Sequence, residues 1–141
     1  MELNNLQIRE VLDQRYPFLL VDKILKIEKD VVYGLKNVSA TDPYLVGHFP
    51  DDPVYPGVLL IETCAQVGGF LITDKIKGKY KGYLANVKEF KFLTFIVPGD
   101  TIIIEAKLKL IISTFVNVDV VAKVNDKIVG KGSIVYSLKK I

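Results

Sequence analysis

The sequence predicts an α+β fold in which five or six antiparallel strands pack against one long, buried helix. Three observations carry this. Residues 57 to 75, GVLLIETCAQVGGFLITDK, are apolar nearly all round, as a helix enclosed on several sides requires. The C-terminal half alternates apolar and polar residues with a period of two. No other stretch reads as a long helix. With 141 residues, the chain matches one domain spanning 1–141, and no repeat, low-complexity tract or Gly/Ser linker divides it.

Taken in order, Leu6 to Leu12 is a short helical candidate, and the Tyr16-Pro17 pair breaks it off. Phe18 to Glu28 and Val31 to Ser39 are rich in β-branched and large apolar residues and predict two extended runs, a hairpin turning near Lys29-Asp30. Residues 42 to 57, DPYLVGHFPDDPVYPG, hold four of the six prolines and two glycines, which predicts an ordered loop or a very short helix. The long helix follows from Gly57 to about Lys75. Beyond Lys81 the chain reads as strands. In 101–110, Ile102, Ile104, Ala106, Leu108 and Leu110 are expected on the buried face. Phe115 to Val124 alternates likewise, and Asn125-Asp126 supplies the turn into Ile128 to Leu138.

Composition narrows the functional classes. Half the residues are hydrophobic and a quarter charged, so the chain can bury a substantial core. A net charge of +3 falls far short of a dedicated nucleic-acid binder. Cys64 is the only cysteine, so an intramolecular disulfide, a Cys-based zinc site and a CxxC redox site are all excluded, which suits a reducing cytoplasm. The N-terminus has no apolar signal region, and no run approaches about 18 apolar residues, so neither secretion nor a membrane span is expected. Neither GxGxxG nor GxxxxGK[ST] occurs, and no metal or organic cofactor is expected.

Two residues stand out chemically. His48, the only histidine, lies in the stiff loop before the long helix. A lone histidine is commonly structural or merely exposed. This one adjoins Asp51, Asp52, Pro53 and Pro56, and Gly57 opens a helix whose N–H groups can bind a developing oxyanion. Glu62 lies about 7.5 Å along the axis of an otherwise apolar helix, and burying a carboxylate costs several kcal/mol unless it is neutral or partnered. Gln66, four residues on, shares its face. Two readings stay open for Glu62: a structural hydrogen bond to Gln66, or an acid whose pKa is raised by desolvation. A His, a Glu and a helix N-terminus suffice to eliminate water: one group removes the proton α to a carbonyl, the other protonates a leaving hydroxyl, and the amides stabilise the enolate. Cys64, about 200° around the helix from Glu62, reads as packing. Tyr55 and Tyr83 could line an acyl tunnel or belong to the core.

RYPFLLVDKI (15–24), GHFPDDPVYPGVLLIETCAQ (47–66) and VPGD (97–100), in this order and spacing, closely resemble the 3-hydroxyacyl-acyl carrier protein dehydratases of bacterial type II fatty acid synthesis, FabZ type. The resemblance runs from about Leu6 to Leu138, and the middle motif is the most specific. It implies the hot-dog fold, an antiparallel sheet wrapped around one central helix, with two protomers forming a continuous sheet and commonly three dimers forming a hexamer. It also implies that His48 is the catalytic histidine and Glu62 the catalytic acid, supplied by the other protomer. The Gly57 N–H would polarise the thioester carbonyl, the Val54 carbonyl would orient the imidazole, and Gln66 would hold the glutamate. The implied reaction converts a (3R)-3-hydroxyacyl-carrier protein to the trans-2-enoyl form plus water. A sister branch that also isomerises the double bond has aspartate at the helix position, so Glu62 favours simple dehydration.

The chain departs from the family pattern twice. Gln14 stands where the family usually has histidine, and Leu93, Thr94 and Phe95 stand where further basic residues and a proline are usual. Lys88 and Lys91, with Lys75, Lys77, Lys79 and Lys81, are then the candidates for docking an acidic carrier protein, although 75–81 reads equally as a solvated loop. The rival readings are a hot-dog enoyl-CoA hydratase or acyl thioesterase and a non-catalytic acyl-binding protein. Binding alone would not require an acid/base pair.

Overall fold

The computed structural model of the chain describes residues 2–76 and 78–141. Helix α1 (Asn5–Val11) starts at a capping box: the Asn4 side chain accepts from the Gln7 N–H, and the Gln7 side chain accepts from the Asn4 N–H. Strands β1 (Lys23–Ile27) and β2 (Val31–Asn37) form the expected hairpin. A loop of turns without regular helix then leads to α2 (Gly57–Lys75). The remaining strands are β3 (Tyr80–Phe92), β4 (Thr101–Ile112), β5 (Phe115–Val124) and β6 (Lys127–Lys140).

All six strands form one sheet in the order β1-β2-β4-β5-β6-β3, antiparallel throughout. The sheet curls around α2, which packs against β2, β3, β4 and β5. This is the hot-dog arrangement. Leu60, Cys64, Val67 and Leu71 of the helix meet the inward residues of the strands, among them Val32, Ile104, Val118 and Ile134, in one apolar core. An all-round apolar helix is stable here because the sheet encloses it on several sides.

Two expectations need correction. Of the run Phe18 to Glu28, only Lys23–Ile27 is strand. The backbone of Phe18 and Leu20 bonds the Gln66 side chain instead of a neighbouring strand. In β4, Ile102, Ile104 and Ala106 are buried as expected, but Leu110 is 50% exposed. A bulge between Leu108 and Leu110 inserts one residue, and a shift of one residue turns the following side chains to the opposite face. The Asn125-Asp126 turn has φ of 51° and 65° at its two residues, the left-handed pair that a tight two-residue hairpin demands.

The two sides of the sheet differ at its ends. β3 is an edge strand of 13 residues, nearly all exposed, and Tyr83, Leu84, Val87 and Phe92 are among them. A long edge carrying apolar side chains is a template for pairing with another chain. No described helix is long and apolar enough to cross a membrane.

Helix and sheet come into close contact at Gly34, where an added Cβ would come within 2.5 Å of the Val67 side chain. Gly34→Ala is therefore expected to lower stability by about 1–3 kcal/mol through overpacking, read as a fall in the urea midpoint at unchanged m-value.

Candidate active site

His48 sits in a loop held by its own backbone. Its carbonyl accepts from the Val54 N–H at 2.8 Å, and Phe49 and Asp52 exchange two further backbone bonds at 3.2 and 3.1 Å. The Phe49 ring stacks on the imidazole at 4.4 Å. Farther back, Asp42 accepts from the Ser39 N–H at 3.0 Å and from the buried Lys36 ammonium at 3.4 Å, tying the loop to β2. The His48 Nδ1 lies 2.9 Å from the Val54 carbonyl oxygen. A carbonyl can only accept, so Nδ1 carries the proton, and in the neutral ring Nε2 is left with a free lone pair.

Gly57 begins α2 directly after Pro56. The first α-helical bond runs from the Leu60 N–H to the Pro56 carbonyl at 3.0 Å, and the Gly57 N–H has no hydrogen-bond partner among the described residues. The Tyr55 N–H bonds the Ile96 carbonyl at 2.8 Å, which locks the segment before the helix against the chain leaving β3. A Cβ at position 57 would stand 2.9 Å from the Phe92 ring. Glycine thus permits the ring's approach, and its place at the helix start leaves the N–H open.

One turn into the helix, the Glu62 carboxylate accepts from the Gln66 amide nitrogen at 2.8 Å. Gln66 is 3% exposed and fully engaged: its nitrogen also donates to the Phe18 carbonyl at 2.8 Å, and its oxygen accepts from the Leu20 N–H at 2.9 Å. Burial pushes the Glu62 pKa above its ordinary value, and the Gln66 hydrogen bond pulls it part of the way back. Glu62 lines a cleft of about 560 Å³ together with Phe18, Ala65, Gln66, Gly69 and Tyr83. That lies within the range of small-molecule sites.

The structure brings together His48 with Val54, and Glu62 with Gln66. It does not bring His48, Val54 or Gly57 into the cleft lined by Glu62 within one protomer. Lys88 and Lys91 are exposed on β3, either side of a bulge where Glu89 has φ 50°. Of the remaining lysines, Lys75 is paired with Asp30 at 2.9 Å, Lys79 and Lys81 are exposed, and Lys77 lies outside the described residues. Cys64 is fully buried and desolvation pushes its thiol pKa up, as packing demands. Tyr55 is core, bonded to Thr63 at 2.7 Å, whereas Tyr83 lines the cleft. Sequence reasoning missed the Phe18 and Leu20 backbone groups that anchor Gln66. The available signal was an amide in an apolar helix, which must find partners somewhere. Among the described residues no group of three or more His, Cys, Asp or Glu could hold a metal.

A model of the FabA-like domain matches residues 12–137. The chain belongs to the FabA-like family. Curated relatives include the 3-hydroxyacyl-[acyl-carrier-protein] dehydratase FabZ of Ruminiclostridium cellulolyticum, 40% identical over 98% of this chain and 99% of the relative. The protein of the same name from Streptococcus agalactiae is 38% identical over 94% and 95% of the two chains. Among solved structures, the dehydratase heterocomplex ApeI:P from Xenorhabdus doucetiae aligns with a TM-score of 0.79 at 17% identity, covering 94% of this chain and 91% of that one. At that identity the likeness speaks to the fold, and it agrees with a FabA-like sheet wrapped around a helix.

Two expectations follow for this FabA-like site. Folding holds the Glu62 proton more tightly than the unfolded chain does, so Glu62 makes stability fall as pH rises from the ordinary carboxylate pKa through the raised one. Urea unfolding across that window should show a shallower decline for Glu62→Gln. Gln66→Ala strips the Leu20 N–H and Phe18 carbonyl of their partners and is expected to cost about 2 kcal/mol or more by the same measurement.

Proposed function

We propose that the chain dehydrates (3R)-3-hydroxyacyl-acyl carrier protein to trans-2-enoyl-acyl carrier protein in fatty acid biosynthesis, with His48 as base and Glu62 as acid. The observation that carries the reading is the His48–Val54 contact, because in the neutral ring it places the free lone pair on Nε2, where it can take the C2 proton. As the C2–H bond breaks, the Gly57 N–H stabilises the charge that develops on the thioester oxygen. Glu62, kept protonated more readily by burial, then delivers its proton to the 3-hydroxyl, and the C3–O bond breaks to release water. The step leaves His48 protonated and Glu62 ionised, and exchange with solvent restores both. Gln66 holds the carboxyl in place. FabZ relatives near full length carry the name of this reaction.

His48 and Glu62 meet across a homodimer in this reading. Support comes from the cleft, which Glu62 lines without His48, and from the open β3 edge, where a second copy would continue the sheet. Three such dimers would form a hexamer. Lys88 and Lys91, exposed on β3, offer positive charge to an acidic carrier protein. The compartment is the cytoplasm, where the substrate's carrier protein is found in this reading.

Mass spectrometry of the protein incubated with a 3-hydroxyacyl-carrier protein should show loss of one water from the intact thioester. Free acid instead would identify a thioesterase. His48→Ala and Glu62→Ala should each reduce kcat/KM about a hundredfold or more while leaving the oligomer folded. Mixed under subunit exchange, the two inactive variants should regain about a quarter of wild-type activity, since half the dimers would be hybrids with one intact site of two. No recovery despite proven exchange would place both groups on one protomer.

A further inference from the structure

The cleft at Glu62 does not end there. Ala65, Gln66, Gly69 and Ile72 line it in succession, positions that recur on one helical face. β3 runs antiparallel to α2 along the same cleft, because Gly57 lies against Phe92 while the Ile72 side chain lies 3.8 Å from a Cβ placed on Gly82. The end remote from Glu62 is therefore bounded by Ile72 and Tyr80. Both are partly buried against the core, whereas strand residues 81–89 are exposed.

We infer that this face of α2 gauges the acyl chain, with Gly69 setting the width of the cleft and Tyr80 its far stop. The inference rests on the dehydratase reading, which puts the 3-hydroxyl carbon at Glu62. Gly69 lies about 10.5 Å farther along the axis and Ile72 about 15 Å. An extended alkyl chain advances about 1.3 Å per carbon for bonds of about 1.5 Å, so about eight further carbons reach Gly69 and about a dozen reach Ile72. A Cβ at position 69 would meet only the Leu12 side chain, at 3.4 Å, and Leu12 also lines the cleft. Any larger side chain at 69 stands between α2 and Leu12, in the path of a long chain and beyond the reach of a short one.

The test compares 3-hydroxybutyryl- and 3-hydroxytetradecanoyl-acyl carrier protein as substrates. Gly69→Val should lower the long-to-short ratio of kcat/KM about tenfold or more, and Gly69→Ala should move it less in the same direction. Tyr80→Ala should raise the corresponding ratio for a 3-hydroxyoctadecanoyl chain. Ratios unchanged in all three variants, or equal losses on both substrates in folded protein, would overturn the gauge while leaving the dehydratase reading intact. A wild-type protein that dehydrates neither substrate would overturn that reading and the gauge with it.

Discussion

Gln66 must satisfy three partners from the interior of an apolar helix, and much of the structure around the cleft depends on its doing so. Its amide nitrogen serves the Phe18 carbonyl and the Glu62 carboxylate, and its oxygen serves the Leu20 N–H. A half-satisfied amide in such a place would cost more than an apolar residue. Here every group is used: no described buried side-chain nitrogen or oxygen is left without a partner. The same three bonds hold residues 18 to 20 beside α2 without a strand, and they fix the carboxylate at the cleft wall.

Position and protonation are thus set by opposing influences. Burial disfavours the charged form of Glu62, while the amide donor favours it. At His48 the control is geometric rather than electrostatic: a backbone carbonyl at 2.9 Å selects the tautomer. Both groups are held by hydrogen bonds within the protein, which is what the proposed acid/base roles would need to act without large reorganisation. The loop bearing His48 owes its rigidity to prolines and to the Asp42 contacts with Ser39 and Lys36.

The β3 edge connects local chemistry to assembly. Natural proteins blunt or cover long exposed edges, and β3 carries apolar side chains on an uncovered strand. A second copy pairing there would satisfy the unpaired backbone groups and bury those side chains. In the proposed dimer that pairing would also supply the histidine that the Glu62 cleft lacks.

The sequence by itself determined the α+β class, the span of α2, the three-strand run from β4 to β6 and the Asn125-Asp126 turn. Each is written in local periodicity or in residues that turns require. It also isolated His48, Glu62 and Gln66, because a lone histidine in a stiff loop and two polar residues in an apolar helix are visible anomalies. Only the tertiary structure decided that Phe18 to Asp22 is not strand, since Gln66, 46 residues after Leu20, takes backbone bonds that a ladder would use. It likewise decided the exposure of Leu110, because a bulge depends on pairing with a partner strand rather than on the strand's own pattern. The cleft has the same origin. Its walls come from α1, α2, β3 and β6, segments brought together by packing, and no local rule announces which of their faces will stand apart.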